Sequence, residues 1–185
     1  MSKFSLFGEG KVRFLIFLFF WGVLYANPLK KCPIPYEIMY SIAKTEGYIY
    51  KKTGYPFIIS FNKKSDFNRA FSILKEFSYK KLSSRTIDCY SNENCVKIAK
   101  VLISKNIINI DMGAFQINYK YHRFKLNDYF NLNASYQRAC GILYNLVKKY
   151  GWSWETIGKY HSFSKNLSKK YYLKVAQIYY GLKEE

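Results

Sequence analysis

Ile38, Met39, Ile42 and Thr45 form a largely apolar stripe at helical spacing. Ile34-Pro35-Tyr36-Glu37 opens this helix, with Pro35 tolerated in its first turn, and Gly47 serves as a cap just past its end. Glu46 lies four residues beyond Ile42 and falls on the same inward face. A second helix starts at Ser65-Asp66 and runs to about Ser78, with Phe67, Ala70, Phe71 and Leu74 inward; a third runs from Val96 to about Ser104. The strongest pattern spans Asn133 to Lys149, where Ala139, Ile142, Leu143, Leu146 and Val147 share one side and Gly151 stops the helix. Ser153 caps a short helix through Tyr160, and residues 167–182 form a last one. Between these, 56–62 and 107–110 predict short strands, the second leading into a glycine turn at Asp111. There is no internal repeat and no low-complexity linker. The expected fold class is mainly α (α+β), helical with a small β element.

The first residues follow a different rule. Lys3, Lys11 and Arg13 precede an unbroken apolar run from Phe14 to Leu24. That run is short of the roughly 20 residues a bilayer span needs. Leu24-Tyr25-Ala26 then resembles a signal-peptidase site, so residues 1–26 are expected to be a signal peptide and 27–185 one domain. The bulky Leu24 leaves retention as a membrane anchor open. In both cases the domain is placed outside the cytoplasm, and a periplasmic location is expected.

The chain carries a net charge of +18; residues 1–26 contribute Lys3, Lys11, Arg13 and Glu9, a sum of +2, which leaves +16 beyond them. Such a field attracts polyanions. The lysines form no nucleic-acid motif and export removes access to DNA, so no nucleic-acid partner is expected. Attraction to the cell wall, with peripheral membrane contact, fits better. Aromatics make up 20% of the chain, enough to furnish both a core and a cleft with flat faces for sugars.

Four cysteines agree with export. If Cys89 and Cys95 close a small ring around a polar loop, Cys32 and Cys140 pair across the fold; three connectivities exist and the spacing selects none. A four-thiolate zinc site lacks the C-x-x-C pair it needs. With only His122 and His161, H-E-x-x-H metal chemistry is absent, and no nucleophile elbow, phosphate loop or dinucleotide fingerprint is present. No metal or cofactor is expected.

What stands out instead is Glu46, at the end of an apolar helix and followed by Gly47 and a cluster of aromatics. Apolar neighbours, the negative helix end and the lack of an obvious cation all push its pKa up, as a general acid for glycosidic cleavage requires. Far downstream, Asp111-Met112-Gly113-Ala114-Phe115-Gln116-Ile117-Asn118 supplies a glycine turn with amide side chains suited to acetamido and hydroxyl groups. Gly113 would let the backbone approach a sugar, Gln116 and Asn118 would hydrogen-bond it, and Met112 and Phe115 would wall it. Asp111 is the best-placed second carboxylate, although an Asp before a glycine turn more often bonds its own backbone.

These segments resemble the lytic transglycosylases of the soluble-lytic-transglycosylase (SLT) type, which share a fold with goose-type lysozyme. The likeness is nearest to the small single-domain members that accompany secretion and pilus systems. It rests on Ile42-Ala43-Lys44-Thr45-Glu46, Ile59-Ser60-Phe61-Asn62, Asp111 to Asn118 with His122, Gly141-Ile142-Leu143, and Trp154 to Ser162, and so spans about residues 32 to 180. Two positions depart from the family's pattern: Gly47 stands where Ser or Thr usually follows the catalytic Glu, and His161 where Asn usually follows Tyr160.

The resemblance implies a lysozyme-like fold and peptidoglycan glycan strands as substrate. It implies Glu46 as the sole catalytic carboxyl, acid first and base second, and Tyr160 as a contact at the catalytic end of the cleft. The bond between N-acetylmuramic acid and N-acetylglucosamine would be cut without water, leaving anhydromuramyl ends. Envelope-spanning secretion or pilus machinery would be the partner. A hydrolase of lysozyme type, a non-catalytic wall-binding scaffold that retains the fold, and a basic protein acting on membranes are the competing expectations.

Overall fold

The computed structural model describes residues 32–47 and 51–184. The expected signal segment, 1–26, lies outside the described residues. Among the described residues no helix is long and apolar enough to cross a membrane.

The described residues form seven helices and five short strands, the strands all in the first two thirds of the chain and four helices in succession after them. The first helix, α1 (Tyr36–Glu46), buries Ile38, Met39 and Ile42 and starts after Pro35, which sits at the cap position. Then come β1 (Ile58–Phe61), α2 (Lys64–Ile73), β2 (Lys80–Lys81), β3 (Thr86–Asp88) and α3 (Asn92–Ser104). The second half holds β4 (Ile110–Met112), β5 (Ile117–Asn118), α4 (Leu126–Phe130), α5 (Leu132–Tyr150), α6 (Trp154–Lys159) and α7 (Lys165–Gly181). The fold is mainly helical with one small antiparallel sheet, in the order β2-β3-β1-β4-β5.

Polar caps start the later helices where the sequence supplies them. Ser91 accepts from the Asn94 amide, Asn131 from Ala134 and Ser153 from Thr156, each satisfying a first-turn N–H with no partner inside the helix.

Three expectations need correction. Helix α2 stops at Ile73 rather than Ser78, because the chain turns at buried Leu74, where Phe77 N–H bonds its carbonyl, and enters β2. Phe71, expected inward, is 54% exposed and packs edge-on against Tyr79 at the surface. The strand expected at 107–110 sits at Ile110–Met112 instead. Ile107 N–H closes the end of α3 on Leu102 O, so pairing with β1 begins only at Ile110, opposite Phe61.

Both disulfides form. Cys32 joins Cys140 of α5 across 108 residues, and Cys89 joins Cys95 at the start of α3. Next to the small ring, fully buried Asp88 is ion-paired to Lys51 at 2.6 Å and accepts from the Tyr55 hydroxyl and the Tyr90 amide, both at 2.9 Å. An unpaired carboxylate at that depth would be costly. These contacts fasten the stretch after α1 onto the sheet.

Helix α7 packs on both α1 and α6. At Gly158 a Cβ would stand 2.3 Å from Ser168 Oγ and 2.7 Å from its carbonyl oxygen, so the α6–α7 approach depends on the missing side chain. The packing sets the C-terminal turn of α1 beside α7, and a cleft opens next to Glu46.

Candidate active site

The cleft has a volume of about 1140 Å³. Glu46 reaches it from the last turn of α1, Asp111 from β4, Gln116 and Asn118 from the hairpin that follows, and Tyr160 from just beyond α6. Residues more than a hundred positions apart thus border one cleft.

Glu46 keeps a partial opening to the cleft while protein surrounds its carboxyl. Desolvation dominates and lifts its pKa from 4.5 to about 8. The nearby Tyr171 hydroxyl opposes the rise; the negative charge of Asp111 adds to it, and Lys174 opposes it weakly. At neutral pH the carboxyl is therefore mainly protonated and able to donate.

No pattern in the sequence singles out Tyr171. It lies on the inner face of α7 with Ser168 and Val175; its buried hydroxyl has no hydrogen-bond partner among the described residues, and the Glu46 carboxyl is its strongest charged neighbour. A phenol on the buried face of a helix demands a polar neighbour, and that was the available signal. Tyr160 stacks beside it, ring centroids 6.5 Å apart, and donates to the Phe115 carbonyl oxygen at 2.9 Å. Burial first, and the Glu46 charge second, push both phenols well above their ordinary pKa, which keeps them neutral. His161 lies flat on Tyr171 at 4.8 Å and also borders the cleft; desolvation, and then Lys174, lower its pKa.

Asp111 is held tightly. Asn118 Nδ2 donates to its Oδ1 and Asn62 Nδ2 to its Oδ2, both at 2.7 Å. Desolvation raises the Asp111 pKa and these two amides pull against the rise. Asn118 also donates to Asn109 Oδ1 and accepts from the Lys120 amide, so much of its capacity is spent inside the protein. Gln116 holds a backbone φ of +44° and spends one amide hydrogen on the Gly113 carbonyl; its amide oxygen has no partner among the described residues. Of the two amides expected to grip a sugar, Gln116 is the freer.

Three expected substrate contacts are placed elsewhere. Met112 is wholly buried and Phe115 is 3% exposed, so both belong to the core instead of walling the cleft. Gly113 does admit a close approach, but to protein: with φ +79°, a Cβ there would stand 1.9 Å from the Tyr129 carbonyl oxygen. Its role is to seat the β4–β5 turn on α4.

Gly47 caps α1 through an N–H bond to Ala43 O at 2.9 Å, with extended rather than left-handed backbone (φ −63°). A Cβ at this position would meet Ala43 O at 3.1 Å, so the usual Ser or Thr fits only if that carbonyl gives by a few tenths of an ångström. His122 borders the cleft and stacks on Phe124, and its pKa is lowered by desolvation.

The arrangement sets a mainly protonated carboxyl, able to donate its proton, at the edge of an open cleft. Comparison with protein-family models, curated proteins and solved structures returned no match.

Proposed function

We propose that this protein is a peptidoglycan lytic transglycosylase. The observation that carries the reading is a carboxyl with a pKa near 8, bordering a cleft of about 1140 Å³, whose acidic neighbour Asp111 is already bound by two amides. Glu46 gives its proton to the glycosidic oxygen as the muramic acetamido oxygen attacks the anomeric carbon and the C–O bond breaks. The resulting oxazolinium ion opens when the sugar's own primary hydroxyl attacks the same carbon, its proton passing to Glu46. The carboxyl ends as it began, and no water is consumed.

A hydrolase is the second reading, favoured by the electrostatic action of Asp111 on Glu46. In that case Asp111 would have to release one of its amide partners to orient water. Two disulfides fit an oxidising compartment, which supports a periplasmic site of action; service to an envelope-spanning machine rests on the family resemblance. Digestion of purified sacculi followed by mass analysis of the muropeptides tests the reading. Anhydro ends are expected, and E46Q should yield none. Ordinary reducing ends would make the protein a hydrolase, and binding without products would make it a scaffold.

A further inference from the structure

The C-terminal turn of α5 and the connection from α6 to α7 close one wall of the cleft, and there the charge balance changes sign. Lys149 and Lys159 both border the cleft, and neither makes an ion pair among the described residues. Both sit against aromatic faces in place of carboxylates. Lys149 lies 5.2 Å from the Tyr150 ring, and Lys159 lies 5.3 Å from the same ring and 6.0 Å from Phe163. Tyr150 and Phe163 pack edge to face at 6.2 Å, so one aromatic pair holds both ammonium groups. These rings are 43% and 67% exposed, too open for core residues.

The other charges of the cleft do not answer these two. Arg138 is neutralised by Asp128 at 2.7 Å, Asp111 is bound by Asn62 and Asn118, and Glu46 is mainly neutral at pH 7. Lysines in the last turn of a helix complement the helix dipole, and that accounts for their position in sequence. It does not account for their convergence on one exposed aromatic pair inside the cleft.

The geometry points to a subsite here for the carboxylates of the stem peptide carried by a muramic acid residue. The inference rests on the proposed glycan substrate. Sugar rings of the strand are uncharged; its anions lie on the lactyl-peptide arms, which project sideways from the glycan. An aromatic pair flanked by two uncompensated ammonium groups suits such an arm: the rings take its apolar stretch and the lysines its carboxylates. The preferred substrate class is therefore peptide-bearing glycan with free carboxylates.

The test uses the full protein with E46Q, so that ligand is not consumed, and two ligands: a disaccharide carrying its stem peptide, and the same molecule with its peptide carboxylates amidated. The free acid should bind about five- to ten-fold more tightly, as two exposed charge pairs allow, and the difference should shrink as salt is raised. Adding K149Q and K159Q should bring the ratio to about 1, and K149E with K159E should invert it. Equal affinities for the two ligands, or a preference that survives both lysine pairs, would overturn the subsite. Failure of the transglycosylase reading shows separately, as the absence of anhydro ends in the sacculus digest.

Discussion

Replacing Glu46 with Gln should stabilise the protein, and by an amount that grows with pH. The folded carboxyl has a pKa of about 8 against 4.5 when unperturbed, so the folded state holds the proton more tightly than the unfolded state does. A group shifted in this direction costs nothing well below pH 4.5, and stability falls as pH rises from there through 8. Linkage puts the cost at about 1 kcal/mol at pH 5, about 3 kcal/mol at pH 7 and about 5 kcal/mol at pH 9. Glutamine has no proton to lose and escapes the whole series. Thermal or urea unfolding of both proteins across pH 5 to 9 reads the difference, at about 2–4 °C in Tm per kcal/mol for a chain of this size. A constant Tm offset between the two would mean a carboxyl with an ordinary pKa. A wild type that gains on E46Q as pH rises would mean one stabilised in its charged form. Each result would remove the basis for general-acid catalysis.

Other outcomes follow from the same geometry. Tyr171→Phe deletes a hydroxyl that pulls the Glu46 pKa down, so the alkaline limb of the kcat/KM profile should move above 8; an unmoved limb would detach Tyr171 from the carboxyl. Gly113→Ala meets the Tyr129 carbonyl and a backbone conformation that L side chains rarely adopt; a loss of at least about 3 kcal/mol is expected in urea unfolding, with the β4–β5 hairpin displaced. Removing the Cys32–Cys140 bridge with paired serines frees a loop of 108 residues and should cost about 4–5 kcal/mol under the chain-entropy account, read in non-reducing unfolding.

The long helices were legible because their stripes repeat often enough to be recognised. Ile38, Met39 and Ile42 define the inner face of α1 and carry Glu46 to its place. Strands β2, β3 and β5 have two or three residues each, too few for any alternation to register. A five-residue α4 escapes notice for the same reason, although it buries Tyr129 and Phe130. Around the glycine turn, residue type was readable and direction was not. Met112 and Phe115 suit a core as well as a sugar wall, and the sheet turns them inward. Gly113 does mark a close approach, but only the fold reveals that α4 is what approaches. Tyr171, Lys149 and Lys159 become part of the site through the packing of α5, α6 and α7, which no local pattern encodes.

The attachment at Asp88 has a mechanical consequence for Glu46. Only three residues separate Gly47 from Lys51, and Lys51 is tied to the buried carboxylate beside β1. Four backbone steps reach at most about 14 Å even when fully drawn out. The end of α1 is therefore on a short leash: Gly47 cannot move further than this from the Lys51 anchor. The strand that holds this leash through β3 also carries β4, so Glu46 and Asp111 are gauged from a common frame, and disturbing the Lys51 anchor should blur the distance between them before it threatens the fold.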